Sequence, residues 1–361
     1  MKILVWHWGR RGAGPRYAAE LAASLRSLDG VEAVLSLSAQ AEILRGEAPP
    51  PCDLPYPTYA GLGGFIARLP LAPFQIGPLA ARLRALRPDV AICAMPSALD
   101  FLMAAALRRL GVPMLVVVHD ADPHPGDGFP FQMTLQRRLV HRAQGLVVLT
   151  GHVADRLRGQ GLVGGRRLIR TTHLPLVFGP PPPPPLAHGG PFRLLSFGRL
   201  LPYKGLDLLE QALRLLGPGL EMEVRVVGSG PDSPVLEALR ALPRVTVENR
   251  WVPEPEVGAI LAWADGLVLS HREASQSGVA AAAVAAGRWV VATRVGGMTE
   301  QLEAEPQALL CAPTAEGVAE ALRQMVLHPP PARTPDDPRA QWRDMAAGLV
   351  AEIAAMLAAR R

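Results

Sequence analysis

Two basic side chains follow a short apolar run in the second half of the chain. Arg199 and Lys204 stand between Gly198 and Gly205, directly after the strand-like segment 193–198. Only two of the 37 Lys and Arg residues are lysine, so an ammonium is kept here against a strong arginine bias. A guanidinium and a compact ammonium flanked by glycines are suited to binding a phosphate group. The alternative interpretation is two solvated charges on a loop.

A second candidate phosphate site follows the predicted strand 266–271. Ser277, Gly278 and Val279 open a small-residue segment that predicts a helix over 279–286. Backbone N–H groups and the helix dipole favour an anion at such an N-terminus, and a diphosphate is the anion that fits here. The alternative is structural, with Ser277 acting only as a helix cap.

A glycine turn follows the first predicted strand. Gly12, Gly14 and Arg16 lie in it, and small residues there let a ligand approach the backbone, although a tight strand-to-helix turn needs the same residues. The dinucleotide-binding fingerprint is incomplete, because Ser36 and Ser38 stand where an acidic residue is required. This departure argues against an NAD-dependent enzyme.

A polar loop ends the predicted strand 113–119. His119, Asp120 and His124 lie in it, and these residue types hydrogen-bond sugar hydroxyls or ligate metals. We expect no metal, because the loop is proline-rich and no helical histidine pair supports it. His173 also follows apolar sequence and is either a ligand contact or a buried histidine.

The elements that must position these residues alternate in type along the chain. Short apolar, β-branched runs alternate with segments of helical period, which is typical of parallel sheets covered by helices. The pattern predicts two doubly wound, Rossmann-like α/β domains in tandem. The predicted strands are 2–8, 33–38, 89–95, 113–119, 145–150, 193–198, 223–228, 244–250, 266–271 and 289–295, and the clearest helices are 206–216, 314–327 and 339–359.

Proline-rich sequence marks the domain boundary. Six consecutive prolines, Pro180 to Pro185, interrupt the α/β pattern. Such a run predicts a polyproline II spacer, and an SH3-type ligand is the alternative. The predicted organisation is an N-terminal domain, a linker, a C-terminal domain and a final segment that returns to the first domain, with bounds 1–178, 179–191, 192–330 and 331–361.

Composition and charge exclude several classes of protein. Hydrophobic residues make up 49% and charged residues 19%, which excludes global disorder. Three distant cysteines form no disulfide framework, and aromatic residues, at 5%, do not interleave with the basic clusters as nucleic-acid binding requires. The net charge is +8 up to residue 178 and −3 after it. With no apolar run of about 18–20 residues and no signal-like start, we expect a cytoplasmic protein. Its basic half either faces an anionic inner membrane surface or is a solvated basic face.

Five motifs of the second half occur in order at predicted strand ends. They are Gly198-Arg199 with Lys204-Gly205, Gly228-Ser229-Gly230-Pro231, Gln276-Ser277-Gly278-Val279, Gly287, and Val295-Gly296-Gly297 with Glu300. This set resembles the retaining, nucleotide-sugar-dependent glycosyltransferases of family four. The resemblance implies the GT-B fold, in which two Rossmann-like domains face each other across a cleft and a C-terminal helix crosses back to the first domain.

The resemblance also implies a function and a set of site residues. The expected activity is a retaining hexosyl transfer from a UDP- or GDP-linked sugar to a cell-surface glycan or lipid-linked acceptor, with neither cofactor nor metal. Residues in catalytic roles are Arg199 and Lys204, at the leaving diphosphate, and His119. Donor contacts are Gly14, Gly198, Gly228, Trp251, Val252, Glu273, Ser277, Gly278 and Val279, and acceptor contacts are Gly12, Arg16, Asp120, His124 and His173.

One departure from the family affects the sugar site. Two glutamates usually surround the sugar, and the corresponding positions here are Ala274 and Ala282, with Glu273 one residue away. The donor sugar therefore has no signature in the sequence. The absence of the two glutamates also leaves an alternative function open. In that alternative, the chain is a catalytically impaired, glycosyltransferase-like binding subunit of a glycan-assembly complex.

Overall fold

A computed structural model of the chain describes residues 1–46, 48–124, 126, 132–334 and 337–359. Pro125, within the polar loop after strand 113–119, and Pro335, Asp336, Arg360 and Arg361, within the predicted segment 331–361, lie outside the described residues. The chain forms two compact units. The first unit comprises Met1–Asp122, Phe129–Thr172 and Arg339–Arg361, and the second comprises Pro123–Gly128 and His173–Pro338.

The first unit contains a six-stranded parallel sheet in the order β2-β1-β3-β4-β5-β6. Its strands are β1 (Lys2–His7), β2 (Glu32–Leu37), β3 (Val90–Cys93), β4 (Met114–Val118), β5 (Gly145–Val148) and β6 (Arg167–Arg170). Its helices are α1 (Ala13–Arg26), α2 (Gly61–Arg68), α3 (Ala72–Leu86), α4 (Asp100–Leu110), α5 (Gln132–Arg142) and α6 (Gly151–Gly159). The central strands are fully buried, as expected where helices cover both faces of a parallel sheet.

The second unit contains another six-stranded parallel sheet, in the order β12-β11-β10-β7-β8-β9. Its strands are β7 (Phe192–Phe197), β8 (Met222–Gly228), β9 (Val245–Asn249), β10 (Gly266–Leu269), β11 (Trp289–Thr293) and β12 (Ala308–Cys311). Its helices are α7 (Leu206–Leu216), α8 (Pro234–Arg240), α9 (Glu254–Trp263), α10 (Gly278–Ala285), α11 (Gly296–Leu302) and α12 (Ala315–Leu327). The prediction of two Rossmann-like α/β domains is confirmed.

The last helix, α13 (Pro338–Ala358), belongs to the first unit from Arg339 onward. Trp342 is buried, and its ring meets that of Tyr17 on α1 edge to face, with centroids 5.4 Å apart. Glu352 forms an ion pair with Arg167 at the edge strand β6. The predicted return of the C-terminal helix to the first domain is therefore confirmed. Among the described residues, no helix is both long and apolar enough to cross a membrane.

The two strands that the sequence pattern missed, β6 and β12, are four-residue strands at sheet edges. Strand β6 has the sequence Arg-Leu-Ile-Arg, and only Ile169 is buried. A short edge strand has one paired side and little buried surface, so it carries only a weak apolar run.

The proline segment differs from the predicted spacer. The division between the units falls between Thr172 and His173, and the whole proline run belongs to the second unit. The buried Arg288 donates to the carbonyl of Pro183, and the buried Asp265 accepts from the backbone N–H of Leu186 at 2.5 Å. These buried charged partners fix the segment on the second unit, so it does not act as a free linker.

Candidate functional site

The topology of the second sheet marks one edge for ligand binding. Strands β7 and β10 are neighbours, and the chain continues from them in opposite directions across the sheet, to β8 and to β11. In open parallel sheets, ligands bind at the carboxyl ends of the two strands that flank such a switch point. The segments that start at Gly198 and at Ser270 follow these two strands.

Glycines bring the loops after β7 and β8 into backbone contact. A Cβ on Gly228 would lie 1.6 Å from the carbonyl oxygen of Gly198, and one on Gly230 would lie 2.2 Å from that of Leu200. Asn249 also holds this loop, since its amide group exchanges hydrogen bonds with the backbone of Gly230 at 3.1 Å. The glycine motif of β8 is therefore explained first by close backbone packing, which supports the loop that carries Arg199.

Lys204 lies in a single helical turn that packs against the end of β10. Gly205 ends that turn with φ of +64°, and a Cβ there would lie 2.0 Å from the carbonyl oxygen of Ser270. The Ser270 hydroxyl donates to the carbonyl of Lys204 at 3.1 Å. Only glycine fits both this conformation and this close approach, so local geometry accounts for the glycine at position 205.

The ammonium of Lys204 points to a buried histidine. Lys204 Nζ lies 2.8 Å from Nε2 of His271, which is 3% exposed. Burial lowers the pKa of His271 well below its usual value, and the Lys204 charge lowers it further. His271 is therefore neutral and accepts the hydrogen bond, leaving the positive charge of Lys204 uncompensated by it. Arg199 lines the same small cleft as Lys204 and His271.

The start of α10 supplies backbone donors next to this cleft. The Ser277 side chain caps the helix by accepting from the N–H of Ala280 at 3.2 Å. The N–H of Ser277 itself donates to Gln301 Oε1 at 2.9 Å, so the expectation that it faces a ligand is wrong. Helix geometry leaves the N–H groups of Gly278 and Val279 without intrahelical acceptors. A Cβ on Gly198 would lie 3.5 Å from the Val279 side chain, which places this helix start beside the β7 loop.

Glu273 and His124 form a polar pair in the second unit. His124 Nδ1 lies 3.3 Å from Glu273 Oε1, and its ring stacks on Tyr203 with centroids 4.6 Å apart. The neighbouring Arg272 pairs with Asp207. His124 was expected among the acceptor contacts of the first domain. It belongs to the second unit because Tyr203 and Glu273 hold it beside the Lys204 turn.

The other donor residues differ in exposure. Trp251 is half-buried, whereas Val252 is buried in the hydrophobic core of the second unit. The Val252 side chain is packed in the core, so it does not offer the predicted nucleotide contact. Ala274 and Ala282, which replace the two glutamates of the family pattern, are 5% and 3% exposed.

The glycine turn of the first unit surrounds a histidine that the sequence interpretation missed. A Cβ on Gly9 or on Gly14 would lie 2.4 or 2.5 Å from Nε2 of His7, the last residue of β1. The Nδ1–H of His7 donates to the carbonyl of Met95 at 3.0 Å, and burial lowers the pKa of His7 to about 4. Gly14 thus makes room for a neutral histidine, and Gly12 directly precedes α1 with φ of +78°. The signal in the sequence was a histidine that ends an otherwise apolar strand beside a glycine turn.

The remaining first-half residues make local contacts. His119 Nδ1 lies 2.9 Å from the carboxylate of Asp120, and Arg16 lies 3.9 Å from Glu20 on the same helix. His173 is buried and belongs to the second unit, so it is not an acceptor contact on the first. Among the described residues, no three His, Cys, Asp or Glu side chains come together to hold a metal ion.

Two family models match this chain, and together they span most of it. The model for the glycosyl transferase 4-like domain matches residues 12–175, and the model for glycosyl transferases group 1 matches residues 191–328. The second match contains Arg199, Lys204 and the start of α10. The chain therefore belongs to the GT4-type glycosyltransferases.

Individual relatives agree with this family. The chain is 28% identical over 278 residues to the 2-deoxystreptamine glucosyltransferase of Streptomyces kanamyceticus, covering 67% of this chain and 66% of that protein. Among solved structures, Anabaena HepE in complex with UDP and glucose superposes with a TM-score of 0.67 at 16% identity, covering 99% of both chains. Sucrose-phosphate synthase from Thermosynechococcus elongatus gives a TM-score of 0.64 at 14% identity, covering 99% of this chain and 95% of that one. At these identities, the two structures establish a shared fold.

Proposed function

We propose that this chain transfers a hexose from a nucleotide-diphosphate sugar to a glycan or lipid-linked acceptor, with retention of configuration. The observation that carries the proposal is the ammonium of Lys204, held 2.8 Å from a neutral histidine at the switch point of the second sheet. UDP is the proposed nucleotide, since the similar HepE structure holds UDP and glucose and the curated relative is named a glucosyltransferase. We assign acceptor recognition to the first unit, with His119 and Asp120 as candidates.

The chemistry required is the departure of a diphosphate from the anomeric carbon. The bond between the anomeric carbon and the diphosphate oxygen breaks, and its electron pair stays on that oxygen. The acceptor hydroxyl bonds to the anomeric carbon, and its proton passes to the departing diphosphate. Arg199, Lys204 and the N–H groups of Gly278 and Val279 stabilise the charge that develops on the leaving group. One well-placed donor of this kind lowers such a barrier by about 3 kcal/mol. The two cations supply charge that a metal ion supplies in other transferases.

Sugar recognition is assigned to Glu273 together with the first turn of α10. Glu273 is the carboxylate nearest in sequence to the two alanine positions, and about half of its side chain is exposed while it contacts His124. Ala274 and Ala282 carry no polar side-chain atom, so their side chains do not bind sugar hydroxyls. This arrangement fits a donor whose sugar is held by fewer side chains than the family pattern uses.

The test compares turnover in three conditions. The full chain is incubated with UDP-glucose, UDP-galactose or GDP-mannose as the donor. Each donor is tested without an acceptor, with a lipid-linked acceptor and with a soluble glycan acceptor, and nucleotide release and product are measured. Product formation that depends on the acceptor supports the transferase. The alternative, an impaired binding subunit, is favoured by the alanines at positions 274 and 282. It predicts nucleotide-sugar binding in calorimetry with no product from any acceptor.

A further inference from the structure

The corner between α2 and α3 exposes large apolar side chains in the first unit. We call the side chains of Ile66, Leu69, Leu71 and Phe74 the α2–α3 corner, and they are 57%, 43%, 55% and 78% exposed. These four residues are half of the exposed large apolar residues in the part of the chain that the structure describes. Grouped apolar exposure of this kind marks a contact surface, whereas single exposed residues are common.

Contacts with neighbouring segments hold this corner in place. The Tyr56 hydroxyl donates to Gln75 Oε1 at 3.0 Å, and Arg68 donates to the carbonyl of Pro57 at 2.6 Å. On its inner side, α3 buries Leu79 and Leu83 in the core of the first unit. The inner face of the corner is therefore packed, and the exposed apolar side chains form its outer face.

The sequence that forms the corner carries charge of one sign. No acidic residue occurs between Asp53 and Asp89, whereas that stretch contains four arginines, of which Arg82, Arg84 and Arg87 are exposed. Apolar side chains beside arginines without carboxylates match a surface that is apolar beneath and anionic above. That is the interface of a bilayer containing anionic phospholipid.

We propose that the α2–α3 corner docks the chain on an anionic phospholipid bilayer. Leu71 and Phe74 enter the boundary between headgroups and acyl chains, and Arg82 and Arg84 contact lipid phosphates. Two copies of the chain paired through this corner would instead bring arginines of like charge together, which disfavours self-association. The proposal goes beyond sugar transfer and does not depend on it.

Vesicle flotation of the full chain tests the apolar part of this surface. At low salt, we expect at least about tenfold higher recovery with vesicles of phosphatidylcholine and phosphatidylglycerol than with phosphatidylcholine alone. The L71S/F74S variant should lose at least about tenfold in partitioning. The matched control is L215S/L327S, whose side chains are 55% and 56% exposed on the second unit, and it should float like the unaltered chain.

A second pair of variants tests the charge. R82Q/R84Q should lower binding to the anionic vesicles by about 25-fold at low salt, because each arginine near such a surface contributes about fivefold. High salt should reduce that difference, because surface charges are then screened. R158Q/R323Q, at exposed arginines elsewhere, is the control and should bind like the unaltered chain.

Three outcomes overturn the proposal. They are equal recovery with neutral and anionic vesicles, full binding by L71S/F74S, and a chain that self-associates through the corner in sedimentation without floating. UDP titration of each variant in solution keeps this test separate from the proposed function. A variant that keeps its UDP affinity and no longer floats supports the docking surface. If the unaltered chain does not bind UDP, that result contradicts only the proposed donor site.

Discussion

Lys204 donates to His271 across 2.8 Å, and the acceptor is a neutral ring rather than a carboxylate. A carboxylate in that position would orient the ammonium but would also cancel its charge. A neutral imidazole orients the ammonium without itself cancelling the positive charge. The burial of His271 is what keeps this ring neutral, since desolvation disfavours its protonated form.

The first prediction concerns His271 as a positioning residue. His271→Leu should lower kcat by about tenfold to a hundredfold, because Lys204 loses the acceptor that fixes its ammonium. His271→Gln keeps an acceptor oxygen and should restore most of the rate. Steady-state kinetics of both variants, with thermal unfolding as the control for folding, decide this. Equal losses in the two variants would indicate that His271 acts only in packing.

The second prediction concerns the two cations of the candidate phosphate site. Arg199→Ala and Lys204→Ala should each lower turnover by about a hundredfold or more, because the leaving group is charged mainly in the transition state. Their unfolding temperatures should stay close to that of the unaltered chain. The matched control is Lys2→Ala at the other lysine, which pairs with Glu32 at 2.7 Å on the first unit. Near-normal rates for both site variants would place the diphosphate elsewhere.

The third prediction separates backbone strain from close packing. Gly205 and Gly111 both lie in the left-handed region, with φ of +64° and +69°, but a Cβ on Gly205 would lie 2.0 Å from a carbonyl oxygen, whereas one on Gly111 would meet nothing within 4 Å. Gly111→Ala should cost about 1 kcal/mol of unfolding free energy, the usual penalty for a residue with a Cβ in that conformation. Gly205→Ala should cost clearly more and should weaken UDP binding by displacing Lys204. Equal costs in denaturant titrations would contradict this account.

The fourth prediction concerns selectivity for the donor sugar. Glu273→Gln should reduce discrimination between UDP-linked sugars more than it reduces affinity for UDP alone, because the proposed nucleotide contacts lie elsewhere. Glu223→Gln, at an exposed position on strand β8, is the control and should change neither quantity. Competition between UDP-glucose and UDP-galactose gives the selectivity, and calorimetry gives the affinity. Unchanged selectivity would make Glu273 a surface partner of His124 only.

The sequence predicted the sheets well because their central strands are apolar on both faces. Helix α7 has the predicted bounds 206–216, and α12 begins one residue after the predicted start because Thr314 caps it through the N–H of Gly317 at 3.1 Å. The edge strands β6 and β12 were missed because they are short and only partly buried. Periodicity therefore identified the buried elements and failed where burial is partial.

The candidate site was predictable only as far as strand ends could be located. The positions of Arg199 and Lys204 followed from strand order, but the contact between Lys204 and His271 joins loops that are distant in sequence. His124 was assigned to the first domain from its place in the chain, because stacking on Tyr203 leaves no pattern in the sequence. The N–H of Ser277 donates to Gln301, which lies on another helix, and the sequence near Ser277 gives no sign of this contact.

The last prediction concerns His7 and the pH dependence of stability. Burial lowers the pKa of His7 from 6.5 to about 4, so the unfolded chain binds a proton at this residue at pH values where the folded chain does not. The stability that His7 contributes is complete above pH 6.5 and is lost as the pH falls from 6.5 to 4. The loss approaches about 3 kcal/mol, since one pKa unit corresponds to about 1.4 kcal/mol.

His7→Gln removes this titration, so the unfolding free energy of the variant should fall less over the same pH range. Asp100, whose pKa burial raises to about 6, titrates in both proteins and cancels in the comparison. His328→Gln, at an exposed position, is the control and should keep the slope of the unaltered chain. Identical slopes for His7→Gln and the unaltered chain in urea titrations between pH 4 and 6.5 would contradict a neutral, buried His7.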